Sequence, residues 1–286
     1  SALATGNAGK IKVHQVNKMC IFTKRAIPYF IILISTLTTY ANPASDIIKK
    51  ANLAKHYAGS NLKTRIAMLV YYEGAKKPNK KIFNYIKKDV KNGGKQKYFL
   101  YFTYPPDIYK TAFIVHKHIN TDDYRRLYLP ASQKILMING EKKQCPFMGS
   151  DFSAEDITGR HEQMDNHRIL KEEMYSVTSE KQRLHYQTYV IESIPKIKEE
   201  NTSKTITWVD QKTFLPVRKV FYDHFSEQYK IYKAILIKPI NGYPTIIKSE
   251  MLSPLEETKT VFLLDVKNTY YNTDIPDNLF EDSSLR

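Results

Sequence analysis

Residues 97–104 read KYFLYFTY, and Pro105-Pro106 follow at once. Five rings in seven positions favour a pleated, extended backbone over a helix. Apolar side chains fall on both faces of such a strand, and the two prolines stop it. Upstream, residues 62–73 place Ile66, Met68, Val70 and Tyr72 in alternation. Residues 80–89 set Ile82, Asn84 and Ile86 against Phe83 and Tyr85, and Asn92-Gly93-Gly94 marks a turn. Downstream, strands are expected over 112–119, 124–129 and 134–138, the last closed by the hairpin signal Asn139-Gly140.

The rhythm breaks over 145–158, where Ser153 followed by Asp156 has capping-box spacing for a short helix. Strands resume over 169–175, 185–194, 205–209, 217–222, 228–238, 245–251 and 260–266. Residues 45–57 form the one clear amphipathic helix, with Ile47, Ile48, Ala51, Leu53, Ala54 and Tyr57 near one face and Ser45 or Asp46 as its cap. The end of the chain reads as a short helix or turn that tucks Leu279 and Phe280 against the sheet. The fold class expected is mainly β (α+β): a curved antiparallel sheet forming a half-open barrel, with a few helices in or over the concave face. No repeat or linker divides it, so residues 44–286 read as one domain.

The front differs. Residues 1–18 have no hydrophobic pattern and read as a tag or a misassigned extension, expected to be disordered. Residues 19–41 carry Lys24-Arg25, an apolar run over 27–37 and small residues at Thr39 and Ala41, the three-part layout of a secretory signal. The run is shorter than the roughly 20 residues of a spanning helix. A cleaved signal and a periplasmic location are therefore expected, with a membrane anchor through the uncleaved segment as the alternative. Cys20 lies within this segment, which leaves Cys145 as the single thiol of the mature chain and excludes an internal disulfide or a cysteine zinc site. A net charge of +15 favours anionic partners. The basic residues are scattered in short runs such as Lys87-Lys88, which suit a solvated surface better than a nucleic-acid site.

Two stretches resemble the family of outer-membrane lipoprotein-sorting proteins, within the LolA/LolB-like superfamily. The first runs from residue 104 to 156. It contains Pro106-Asp107-Ile108 leading to Lys110-Thr111-Ala112-Phe113, then Leu127-Tyr128-Leu129-Pro130 with Lys134-Ile135, then Phe147-Met148-Gly149-Ser150-Asp151-Phe152-Ser153-Ala154-Glu155-Asp156. The second is Ile206-Thr207-Trp208-Val209-Asp210, followed by Leu215-Pro216 and Tyr222-Asp223. The family pattern has glycine where Lys110 stands and Tyr-Glu-Asp where Ala154-Glu155-Asp156 stands. The resemblance implies a half-open barrel whose apolar interior shields acyl chains in the periplasm.

Elementary energetics fit that implication. Each exposed CH₂ of an acyl chain costs roughly 0.8 kcal/mol in water, so a lipid needs a dry surface that its carrier does not fill itself. A strand apolar on both faces offers one face for packing and one for a guest, or else is buried on both faces. Phe102, Tyr104, Phe113, Tyr128, Phe147, Met148, Phe152 and Trp208 are the candidate lipid contacts. For the motif from Phe147 to Asp156 a purely structural role, a tight turn at Gly149 and a cap, competes with a place at the pocket mouth.

No cofactor and no metal are expected. His116 and His118 share a side of a strand but lack an evident third ligand, and read as surface residues on an edge strand. His161 and His167 follow the acidic motif and could meet Asp151, Glu155 or Asp156. Neither Gly-x-Ser-x-Gly nor a cysteine–histidine pair is evident, so an enzyme is not expected. The function expected is a periplasmic carrier that binds lipid or the acyl chains of lipoproteins, in outer-membrane lipoprotein sorting or lipid transport. Its partners would be the lipid or acylated lipoprotein, an inner-membrane transporter and an anionic membrane surface, with no nucleic acid. The alternative is an envelope sensor or binding module on the same fold that recognises lipoproteins or a membrane protein.

Overall fold

The computed structural model describes residues 42–90, 95–119, 121–179, 182–199 and 201–285. The expectations for residues 1–18, 19–41 and 92–94 lie outside the described residues. The first element is helix α1 (Pro43–His56). Its cap is Asn42, three or four residues earlier than the expected Ser45 or Asp46, and the Asn42 side chain accepts from Ala44 N at 3.0 Å. Pro43 suits the first helical position because it has no N–H to leave unpaired. Ala44, Ile47 and Ala51 then pack on the sheet against Ile191 and Val209.

Six strands follow: β1 (Asn61–Tyr72), β2 (Asn79–Asp89), β3 (Gln96–Tyr104), β4 (Ala112–His116), β5 (Tyr124–Leu129) and β6 (Lys134–Met137). Helix α2 (Ala154–Thr158) interrupts, and β7 (Asp165–Ser179), β8 (Gln182–Pro195), β9 (Lys204–Asp210), β10 (Pro216–Tyr222), β11 (Gln228–Ile240), β12 (Tyr243–Ser253) and β13 (Thr258–Leu264) complete the series, with a short β14 (Tyr270–Tyr271) on β1. The strand order is β6-β5-β4-β3-β2-β1-β13-β12-β11-β10-β9-β8-β7. Two antiparallel meanders are thus joined where β1 pairs β13, in a register that sets Ile66 opposite Leu264. The sheet is strongly curved and not closed, as expected. Register shifts in the pairings of β7–β8, β9–β10 and β11–β12 add bends to the second meander.

The main core lies on the concave face. Met68, Val70, Phe83, Tyr98, Leu100, Phe102, Phe113 and Val115 project from β1 to β4, and Phe147, Phe152 and Ile157 press onto them from the segment around α2. Phe152 stacks on Phe262 with ring centres 4.2 Å apart. The other side of β3 is not vacant. Phe99, with Ile86, Ala112 and Ile114, is covered by Ile275, Phe280 and Leu285 from the C-terminal turns. The expectation that one face of residues 98–104 stays available is therefore corrected: the chain's own end fills it, and Phe280 is fully buried there.

Candidate ligand cavity

Between the two helices and the second meander the concave face holds a cavity of about 740 Å³. Alternation along each strand supplies its wall. Ser193 from β8, Thr205 and Thr207 from β9, Lys219 and Phe221 from β10, Lys230 and Tyr232 from β11, and Met251 from β12 all face inward. Register explains the grouping, since Thr207 lies opposite Lys219, Phe221 opposite Lys230, and Lys219 opposite Tyr232. Helix α1 closes the other side with Ile48, Ala51, Asn52, Lys55 and His56. Asn52 is fixed by donating to the Arg160 carbonyl at 2.9 Å.

Helix α2 is anchored by its own capping chemistry. Ser153 accepts from Asp156 N at 3.1 Å, and Asp156 accepts in return from Ser153 N at 2.9 Å. The motif loop is held to the sheet through Asp151, which takes the hydroxyl of Thr260 at 2.6 Å and that of Thr258. Gly159 ends α2 at φ +85°, a backbone conformation open to glycine alone, with His56 pressed against it.

Charge is arranged unevenly around the cavity. Towards the mouth, Arg160 binds Asp165 at 2.7 Å, Glu199 at 2.6 Å and Glu155 at 3.2 Å, and Lys143 adds to Glu155 at 3.3 Å. Further in, Lys230 meets Asp156 at 2.6 Å. That contact holds the Asp156 carboxyl below its usual range despite burial. Lys55 and Lys219 have no hydrogen-bond acceptor among the described residues. Their ammonium groups lie over rings instead, Lys55 4.5 Å from Tyr232 and Lys219 4.8 Å from Phe221. Burial lowers Lys55 to about 8, with Asp156 opposing, and lowers Lys219 as well. His56 is pushed well below its ordinary value, by burial first and then by the surrounding lysines.

Next to the cavity lies a smaller apolar pocket of about 130 Å³. Leu62, Ile66, Phe83, Phe152, Ile157 and Phe262 line it, and Lys55, His56, Asp156 and Tyr232 line both spaces. The interior is thus neither plugged nor uniformly greasy. The larger space mixes charged and hydroxyl side chains with apolar ones at its wall, which the aromatic strands do not suggest.

The structure divides the eight sequence candidates. Phe102, Phe113, Phe147 and Phe152 meet in the concave core with Met148 packed against them. Phe147 lies 4.9 Å from Phe113 and 6.1 Å from Phe102, ring centre to ring centre. Phe152 alone reaches a void, the apolar pocket. Tyr104 stands at the exposed end of β3. Tyr128 packs with the cluster of Phe99 and Ile114 on the convex side. Trp208 alternates with Thr207 and so faces the convex side too, where Arg218 lies 4.5 Å over its ring and its Nε1–H donates to Glu173.

Three expectations for histidines and acids are corrected. β4 lies inside the sheet, so His116 is not on an edge; its ring pairs with the Phe280 carbonyl at 2.7 Å. His161 approaches Glu162, and His167 pairs with Ser193 Oγ at 2.8 Å and the Glu162 carbonyl at 2.7 Å. Neither meets Asp151, Glu155 or Asp156, which are taken by threonines, Arg160 and Lys230. Among the described residues no group of three or more histidine, cysteine or acidic side chains could hold a metal ion, and no helix is long and apolar enough to cross a membrane.

Lys55, Lys219 and Lys230 were missed in the sequence. A signal existed: Lys219 precedes Phe221, and Lys230 precedes Tyr232, by two positions on strands, which puts cation and ring on one face.

Known proteins with this fold can now be set beside it. No curated protein matches the chain. A DUF1329 family protein from Desulfovibrio piger superposes with a TM-score of 0.74 at 24% identity, over 85% of this chain and 98% of its own. A domain assigned to the outer membrane lipoprotein-sorting proteins, from Vibrio parahaemolyticus, gives 0.73 at 23% identity, over 85% and 98%. A LolA superfamily protein from Nitrosomonas europaea gives 0.62 at 16% identity, over 85% and 100%. A family model described as an uncharacterized protein matches residues 94–286. The chain belongs to that family, and its open, curved sheet is the LolA-like fold.

Proposed function

We propose that this protein is an envelope carrier that binds lipid, or the acyl chains of lipoproteins, on its concave face and moves them between membranes in lipoprotein sorting or lipid transport. The observation that carries the reading is a pair of adjoining spaces: a cavity of about 740 Å³ and an apolar pocket of about 130 Å³, with Lys55 and Tyr232 lining both. The first volume falls within the roughly 300–1,000 Å³ of ligand sites, and the second is smaller than that. The apolar pocket therefore takes part of a chain as it stands. A longer chain displaces Phe152 and Ile157, which sit on the short helix α2 and its loop rather than on the sheet.

The assignment of the V. parahaemolyticus domain to the lipoprotein-sorting proteins, and of the N. europaea protein to the LolA superfamily, supports the same direction. A periplasmic location follows the same reading, as does binding without catalysis. The test is extraction of protein purified from the envelope, followed by mass spectrometry. A co-purified lipid or acylated peptide at near-stoichiometric amount is expected. Protein that carries none, and takes up none from mixed vesicles, overturns the proposal.

A further inference from the structure

The carboxylates around the cavity are already engaged. Glu155, Asp165 and Glu199 are held by Arg160, Asp151 by two threonines, Asp156 by Lys230, Glu162 by His161, and Asp223 by the backbone N–H groups of Phe225 and Glu227. Glu256 is exposed at the outer rim. On the inner wall the balance reverses. Lys55, Lys219 and Lys230 all act on Asp156, which Lys230 occupies, and the other acids near Lys219, Glu155 and Asp165, are held by Arg160. Two ammonium groups then share a recess with no acceptor among the described residues. Such a surplus is costly in a partly dry site unless an anion enters from outside.

Building on the carrier reading, we infer that Lys55 and Lys219 hold the anionic group, phosphate or carboxylate, of an amphiphile whose chain starts in the adjoining apolar pocket. Position supports the pairing of head and tail. Lys55 lines both spaces, so an anion on its ammonium sits at their junction. Tyr232 lies under Lys55 and continues into the apolar side, giving the first carbons of the chain a ring to pack on. Thr207, opposite Lys219 on β9, offers a neutral hydroxyl on the same wall. Hydrogen bonds from an ammonium to an anionic oxygen are the strong class, and an anion here meets two of them.

Isothermal titration with three probes tests this: palmitoyl lysophosphatidic acid, monopalmitoylglycerol and inorganic phosphate. The lysophosphatidic acid is expected to bind at least about tenfold more tightly than the uncharged glyceride. In K55Q/K219Q that preference disappears while glyceride binding persists, and in K55R/K219R the preference stays. K219Q alone, on a single strand position, serves if the double variant does not fold. Equal affinity of the two amphiphiles in the unaltered protein overturns the headgroup inference and leaves the carrier reading standing. Failure of both amphiphiles to bind overturns the carrier reading with it. Phosphate binding as tightly as the lysophosphatidic acid, and lost in K55Q/K219Q, overturns the amphiphile in favour of a free anion.

Discussion

Asp156 and Ser153 close the capping box of α2, and the same Asp156 Oδ2 that serves the cap takes the Lys230 ammonium at 2.6 Å. One carboxylate thus ties the helix to β11. Asp156→Asn keeps the shape but strands Lys230 in a recess already rich in lysine. It is expected to lower unfolding stability by about 3–5 kcal/mol in urea titrations. Asp156→Asn with Lys230→Met should recover most of that loss, since the stranded charge goes too. A double variant no better than the single one would show that the cap, and not the ion pair, carries the energy.

Gly159 is the second fixed point of α2. A methyl group at its Cβ would stand 2.9 Å from His56 Cδ2, on a backbone at φ +85°. Its carbonyl also accepts from Lys117 Nζ at 2.7 Å. Gly159→Ala should cost about 1–3 kcal/mol from the strained backbone alone. Thermal melts of the purified variant check this. An unchanged melting point would show that the turn after α2 relaxes freely.

Stability should depend on pH in a stated direction. Burial lowers Lys87 to about 7, where its Nζ donates to the His56 carbonyl at 2.8 Å, and lowers Lys55 to about 8. Between those values and the ordinary lysine range the unfolded chain binds more protons than the folded one. Unfolding free energy therefore rises as pH increases from about 7 towards the ordinary lysine value of 10.5, and below about 7 the burden of both charges is fully present. Urea midpoints across that window should climb. In Lys87→Met the climb should be shallower, and a midpoint that falls with pH in the unaltered protein contradicts the assignment.

Much of the architecture is legible in residues such as Met68, Val70, Phe83 and Tyr85, whose alternation follows from the two-residue period of a strand. The capping box is legible because its partners are three positions apart. The cavity is not, because Lys55 comes from the helix and Lys219 and Lys230 from strands far along the chain. Only the register of β9, β10 and β11 brings them together. Aromatic content misleads for a related reason. Trp208 and Thr207 are neighbours in sequence, yet they face opposite sides of the sheet, and the polar one of the two meets the recess.

An ammonium without a hydrogen-bond acceptor burdens the fold that holds it. Lys219→Met should therefore raise the unfolding free energy of the lipid-free form by about 1 kcal/mol, a gain of the kind seen when function and stability conflict. Calorimetry on delipidated protein measures it. A loss of stability of similar size would show that the Lys219 contact with Phe221 outweighs its desolvation.

The pairing of Ile66 with Leu264 puts the first long strand beside the last one, although the rest of the sheet lies between them in sequence. A chain leaving the ribosome meets β2 early but cannot satisfy the other flank of β1 until β13 is out. Through that interval β1 presents a bare row of amides and carbonyls, flanked by apolar side chains, to its surroundings. Chaperone capture or proteolysis of incomplete chains should then concentrate at this row, and loss of the final strands should be felt at the beginning of the protein rather than at its end.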